Sequence, residues 1–445
     1  MRRPKWIRLL GVVLALTMVA AACGDDDDDA VDAGGEGGGE EIESVPGFDG
    51  ETIRLGVITP TTGPVAVIGN PLTEGNKVYW ESVNAQGGVA GRYPVELEIV
   101  DSKYDAPTAV QQYNRIKNDV VMFNQLLGTP IVNALREQLT DDNIVGQPAS
   151  LDAFWVRVQH LLPIGGPYQI QAINAMDWVV NQGGLTGGGE GGGEDEGTTG
   201  RAQEDAPVIC FAGHDDPYGD AGKEGLDFAA EELGFEIAAD VRFEATATAE
   251  QMGAQVGQLS SAGCEVVFLT AVPSTAGAIL GASAQGGFAP QWIGQSPTWV
   301  NALAASPIAE YLAANFHLVA EGPEWGDTSV PGMAQMMEDV EEFAPEQGPD
   351  IYFAFGYGAS WAVHQVLEAA VENGDLSREG IVEAMNGIDA LQFDGLFGEY
   401  PYGPPEERVP PRVSRIFEVV PGEENPLRAI SEEFSSEAAE AFEFE

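Results

Sequence analysis

Ile53-Arg54-Leu55-Gly56-Val57-Ile58, running into Thr59-Pro60-Thr61-Thr62-Gly63-Pro64, is a short β-branched run that ends in a turn-rich loop. Such a run reads as a buried strand feeding a loop. A helical pattern follows over residues 71–86, with Pro71 near its start and Gly87-Gly88 at its end. Strand, loop, helix is the first half of a parallel βαβ unit, and the same rhythm repeats downstream. Strands are expected at 95–100, 122–127 and 144–146, with helices at 107–118 and 131–139. The pattern restarts with strands at 208–212, 236–243, 266–270 and 292–293. Helices at 219–233, 250–261 and 274–284 separate them. Two successive α/β halves predict two lobes, each a parallel sheet with helices on its faces. A long apolar helix at 351–372, a helix at 376–385 and strand-like segments at 392–395 and 411–420 break the alternation. They read as a return that completes each lobe.

The N-terminus speaks to compartment. Arg2, Arg3, Lys5 and Arg8 precede an apolar stretch over residues 9–20. That stretch is shorter than the roughly 20 residues needed to cross a bilayer. It ends in Ala20-Ala21-Ala22-Cys23-Gly24, small residues before a cysteine, which is the lipobox pattern of bacterial lipoproteins. The expectation is a signal peptide over 1–22, cleavage before Cys23 and a lipid on its sulfur, anchoring the chain to the outer face of the cell membrane. Residues 23–50 carry Asp25 to Asp29 and a Gly-rich run, and read as an acidic flexible tether. A second Gly-rich segment, 183–205, reads as a surface insertion.

The chain of 445 residues carries 20 Lys+Arg against 71 Asp+Glu, a formal net charge of -51. That field repels nucleic acid and anionic surfaces. His160, His214, His317 and His364 are scattered, with no pair at metal-ligand spacing. Ser360 sits in Gly358-Ala359-Ser360-Trp361-Ala362, which lacks the final glycine of a nucleophile elbow and lies in an apolar helix; it reads as a core serine. His214-Asp215-Asp216 reads as a helix-capping loop rather than a metal site. No P-loop or dinucleotide fingerprint is present. Neither an enzyme, a cofactor nor a metal is expected. Cys210 and Cys264 could pair in an oxidising exterior or stand as two buried thiols. Pairing of their strands would set them about four residues out of register, which favours free thiols.

Leu55 to Gly69 (LGVITPTTGPVAVIG), Asn84-Ala85-Gln86-Gly87-Gly88-Val89-Ala90-Gly91, the spacing Asp101, Asp105, Pro107, Ala109, and Asp216-Pro217-Tyr218-Gly219 occur in an order that resembles type I periplasmic binding proteins. These are the leucine/isoleucine/valine-binding class. With the long helix after Tyr352 and Asp394-Gly395, the likeness covers residues 52–420. It implies two Rossmann-like lobes with parallel central sheets, joined by a three-segment hinge and closing over a ligand. The implied division is lobe 1 over 51–162, lobe 2 over 163–296, a return to lobe 1 over 297–388, final strands mainly of lobe 2 over 389–430 and an acidic tail over 431–445. The implied function is a monomeric solute receptor that delivers to an ABC permease in the membrane. The alternative is a ligand-sensing ectodomain acting through a membrane partner.

Independently, ligands of open parallel sheets sit at the carboxyl ends of strands, beside helix N-termini. That rule selects Thr61, Thr62, Gly63, Thr129, Pro130, Ala149, Ser150, Tyr218, Ser274 and Ser296, with Trp155 and Trp299 available to cover apolar parts. Relatives that bind amino acids hold the ammonium with acidic residues, whose places here are Leu162 and Ser296. An uncompensated buried ammonium costs several kcal/mol. The expected ligand is therefore a small polar solute such as an amide, a urea-like molecule or an aromatic acid, rather than an α-amino acid.

Overall fold

The computed structural model describes residues 42–183 and 207–444. Cys23 with its leader, and nearly all of the Gly-rich insertion, lie outside the described residues. Among them, no helix is long and apolar enough to cross a membrane.

The chain opens with β1 (Ile53–Thr59), α1 (Ala66–Ala85), β2 (Val95–Asp101), α2 (Ala106–Ile116), β3 (Met122–Leu127), α3 (Thr129–Asp142) and β4 (Gly146–Ala149). These four strands form one parallel sheet in the order β2-β1-β3-β4. After α4 (Tyr168–Val180) come β5 (Ile209–His214), α5 (Pro217–Leu233), β6 (Ile237–Phe243), α6 (Ala249–Ser261), β7 (Val266–Thr270), α7 (Pro273–Gly286), β8 (Gln291–Gln295), α8 (Ala309–Asn315) and β9 (Phe316–Ala320). The chain then runs through α9 (Pro331–Phe343), α10 (Ile351–Glu372), α11 (Arg378–Asn386), β10 (Ala390–Leu391), β11 (Tyr400–Pro401), β12 (Arg415–Val419), β13 (Leu427–Ala429) and α12 (Glu437–Ala441). The second sheet is β13-β12-β9-β8-β7-β5-β6, parallel from β9 to β6, with β12 and β13 added antiparallel at its edge.

The first lobe is sealed by α10 laid against α1. Gly75 and Gly356 stand at the crossing, where a Cβ would come within 2.1 Å of the Phe353 carbonyl oxygen and 1.9 Å of that of Leu72. Only glycine lets the backbones approach so closely. Beneath them a polar network is satisfied internally. Asn124 donates to Asn76 Oδ1 (2.6 Å) and Ser360 Oγ (3.0 Å) and accepts from Trp80 Nε1 (3.0 Å), so Ser360 is a core serine.

Several boundaries differ from the sequence reading. Residues 42–50, expected as part of the tether, belong to the fold: Val45 and Phe48 form a bridge and the Phe48 ring packs edge-on against Tyr93 at 5.0 Å. β9 belongs to the second sheet, so the chain leaves lobe 2 after Ala320 rather than at 296. The fourth strand is Gly146–Ala149, shifted from the expected 144–146. Residues 431–444, expected as an acidic tail, pack onto the body: α12 is capped by Ser436, and Ala438, Ala439 and Phe442 are buried in the core shared with α4.

Cys210 and Cys264 form a disulfide, with Cα atoms 5.8 Å apart, which overturns the free-thiol expectation. Extended pairing does place Cys210 opposite Val267. The approach to β7 is not extended, however. Gly263 turns in the left-handed region (φ 74°), and the N–H groups of both Glu265 and Val266 donate to the Val208 carbonyl. This local crowding of the strand folds Cys264 back over β5.

Candidate interlobe binding site

Three crossovers join the sheets: residues 150–167, 321–330 and 402–414. Charged groups, one buried and two partly buried, tie them together. Arg408, 1% exposed, sends its guanidinium to the carbonyls of Val156 (3.4 Å), Val158 (3.1 Å) and Leu161 (3.0 Å) on the first crossover, and to Gly403 (3.2 Å) on its own. Arg157 answers from the first, donating to Pro405 (2.6 Å) and Arg408 (2.9 Å) carbonyls. Glu321 opens the second crossover. Its carboxylate accepts the N–H of Gly166 from the first, and the N–H of Gly398 (2.8 Å) from the hairpin leading to the third.

Between the lobes lies a cavity with about 1370 Å³ of atom-free space, part of it open solvent. The first lobe contributes Ile68 and Leu72 of α1, Gly128 and Thr129 at the start of α3, and Ala149 and Ser150 after β4. The second contributes Tyr218 at the start of α5, Val272 after β7 and Ser296 after β8. Thr129 Oγ1 and Ser150 Oγ lie 2.7 Å apart, and Trp155 Nε1 donates to Ser150 at 3.1 Å. Tyr168 and Tyr218 meet edge to face at 5.0 Å. The Tyr218 hydroxyl is buried, with the residue only 2% exposed, and has no hydrogen-bond partner. An orphaned hydroxyl costs about 1–3 kcal/mol, so it marks a place where a ligand atom would be welcome.

The far wall comes from α10 and the second crossover. Tyr352 Oη donates to the carbonyls of Trp299 (2.7 Å) and Pro297 (3.0 Å), bridging from the helix that seals lobe 1 to the loop after β8. Asp350 caps α10 by accepting the N–H of Tyr352 (2.8 Å) and Phe353 (3.0 Å). Phe355, Phe397, Trp325 and Leu427 carry the cavity past the hinge. Burial pushes the Glu321 carboxyl up to about 7, against the pull of its two backbone N–H donors, and pushes Asp350 up to about 6.

Of the residues selected by the strand-end rule, Thr129, Ala149, Ser150, Tyr218 and Ser296 surround this cavity. Thr61, Thr62, Gly63, Pro130, Trp155 and Ser274 do not. Thr61 and Thr62 are drawn away by Asp101 at the end of β2, which accepts the Thr61 N–H (3.0 Å) and the Thr62 hydroxyl (2.6 Å). Trp155 is buried in the α2–α3 core and acts on Ser150 from behind, while Trp299 is core in the second lobe. Ser274 is solvent-exposed on α7. Asp216 caps α5 through Tyr218 and Gly219, as the capping reading of that loop expects. The rule missed Tyr352, Phe355 and Glu321. Asp350 before an apolar run signals a helix start, yet nothing local says that this helix end reaches the cleft.

Two parallel-dominated sheets, three crossovers and a cavity at the strand ends define a solute-binding protein architecture. The chain belongs to the periplasmic binding protein family, whose sequence profile matches residues 52–424. It is similar to the structure of a fatty acid ABC transporter substrate-binding protein from Thermomonospora curvata. The two are 24% identical, with a TM-score of 0.79, and the match covers 91% of this chain and 97% of that one. It is also similar to a branched-chain amino acid ABC transporter protein from Thermus thermophilus with bound valine, at 17% identity and TM-score 0.68, covering 87% and 98%. A Leu/Ile/Val-binding protein of Rhizobium johnstonii is 32% identical over 71 residues, which span 16% of this chain and only 19% of that protein.

Proposed function

We propose that this chain is the extracytoplasmic solute receptor of an ABC importer, tethered through a lipid on Cys23. It acts as a monomer, captures an organic solute between its lobes and hands it to a membrane permease without altering it. The supporting observation is a single cavity furnished from both lobes, with the unpartnered Tyr218 hydroxyl in its wall. A solute that touches both lobes at once favours the closed state over the open one. The fatty acid transporter protein and the valine-bound protein, which this chain resembles in fold, handle solutes with apolar bodies. The cavity of this chain, faced by Ile68, Leu72, Val272, Phe355 and Phe397, fits such a body. This moves the proposal away from the small polar solute expected from sequence and toward one with a polar end and a substantial apolar part.

A thermal-shift panel of amides, sugars, nucleosides, amino acids, carboxylic acids and organic amines tests it. Binding confined to the native state adds about 2.7 kcal/mol of stability at a hundredfold excess over Kd. The expected result is a shift for apolar-bodied compounds and none for sugars or nucleosides. A panel with no shift at all, repeated with extracts of the native growth medium, would remove the receptor reading.

A further inference from the structure

Charge in the cavity wall narrows the solute further, and this inference rests on the receptor reading above. Among the described residues, the wall contains Glu321, Glu324 and Asp350 but no lysine, arginine or histidine. None of the three acids takes part in an ion pair. Glu321 is held by two backbone N–H groups, Glu324 accepts the Ala429 N–H (2.7 Å) and Asp350 caps α10. These dipoles offset part of the cost of burying a carboxylate, but not its charge. A carboxylate ligand would add a further negative charge to this wall, with no cation among its residues to receive it. An ammonium would instead supply the missing counter-charge.

The aromatic furniture suits the same group. Tyr104, Tyr168, Tyr218 and Tyr352 all border the cavity, and Tyr168 and Tyr218 stand edge to face. Tyrosine faces attract organic cations, and more strongly where water is excluded. The unpartnered Tyr218 hydroxyl can accept a hydrogen bond from an N–H donor. The wall is continuous from this end to the acid. Gln171 donates to the Gly166 carbonyl (3.3 Å) and accepts the Ser296 N–H (3.2 Å), and Gly166 donates to Glu321.

We infer that the solute is an organic ammonium with an apolar body and no carboxylate, its cation set among the tyrosines and the acids led by Glu321. Glu321 stands on the second crossover, apart from Leu162 on the first. The charge acting on it is Glu433 ahead of α12. Glu324 on its own crossover and Asp350 at the start of α10 share its cavity wall, and the nearby cation is Arg415 of β12, which pairs with Ala320, acts on Asp327 and is not part of that wall. At the other end His214 is buried behind Tyr218, with ring centroids 5.7 Å apart.

Three ligands with one skeleton test this on the disulfide-intact protein: phenethylamine, 3-phenylpropanoate and phenylalanine, by calorimetry at pH 7.5. The amine is expected to bind at least about tenfold tighter than either of the others. It stays protonated throughout pH 5.5–8, since alkyl ammonium groups lose their proton near pH 10. Acidification from pH 8 to 5.5 protonates Glu321 and should weaken the amine several-fold. Glu321→Gln should remove the part of that profile centred near pH 7. Asp350→Asn, which preserves the helix cap, should weaken the amine most at pH 8 and least at pH 5.5, where Asp350 is already largely neutral. Tighter binding of the propanoate or of phenylalanine, affinity that rises on acidification, or no amine binding at millimolar concentration would each overturn the inference. An anionic solute found by the panel would do so while leaving the receptor reading intact.

Discussion

Arg408→Met is expected to cost about 3–4 kcal/mol of stability, among the largest single-residue effects in the molecule. The guanidinium is buried, lies over the Tyr402 ring at 4.7 Å and serves four backbone carbonyls. Methionine preserves the apolar stem but leaves the carbonyls of Val156, Val158 and Leu161 without a donor where water has little access. Arg408→Lys should recover only part of the loss, because an ammonium cannot spread its donors as the planar fork does. Because Arg408 binds the third crossover to the first, the damage should extend beyond stability and loosen the hinge. Urea denaturation of the three proteins measures the effect. A loss below about 1 kcal/mol for the methionine variant would show that the crossovers are held by other contacts.

The second large effect concerns the cystine. The Cys210–Cys264 bridge closes a loop with a sequence separation of 54. Chain-entropy reasoning assigns such a loop about 4 kcal/mol, and replacing both cysteines with alanine should lose about 2–4 kcal/mol. Both residues are buried in the core of the second lobe, so reductant should act slowly on the folded protein and quickly once it is unfolded. Alkylation in denaturant followed by mass spectrometry reads the redox state directly. Two reactive thiols in unreduced protein would refute the bridge, and an unchanged denaturation midpoint in the double variant would refute its contribution.

How much of this was legible in the sequence depended on the range over which each feature is decided. The alternation of strands and helices through residue 295 is written locally, in β-branched runs and in caps such as Asp105, which accepts the Thr108 N–H (2.8 Å), and Asp216. β9 was not legible. Its five residues, Phe316–Ala320, follow an alanine-rich helix, and its antiparallel partner β12 is distant in the chain, with Leu318 facing Phe417. The cystine was misread because register arguments assume extended backbone, and the turn at Gly263 breaks that assumption. In the candidate site, strand ends could be found by rule, so Thr129, Ser150, Tyr218 and Ser296 were within reach. The wall built from α10 and the crossovers was not. Tyr352 and Glu321 meet the cleft only because Gly75 and Gly356 bring α10 onto α1, and because three distant crossovers are fastened side by side.

For the proposed closure on a solute, the same fastenings would hold the three crossovers together as the lobes move. Arg408 and Arg157 fasten the third crossover to the first, and Glu321 fastens the second to Gly166 of the first. The solute then needs only to add contacts on both sides of the cleft to shift the balance between open and closed.

Capture between the lobes requires one cavity shared by both, and hydrogen–deuterium exchange with a solute identified by the panel tests this most directly. Slowed exchange is predicted in the first turn of α3 around Thr129 to Val132 and, at the same solute concentration, in α5 from Tyr218 onward and in the loop after Ser296. Protection confined to one lobe, or lying on a surface away from these segments, would contradict capture between the lobes.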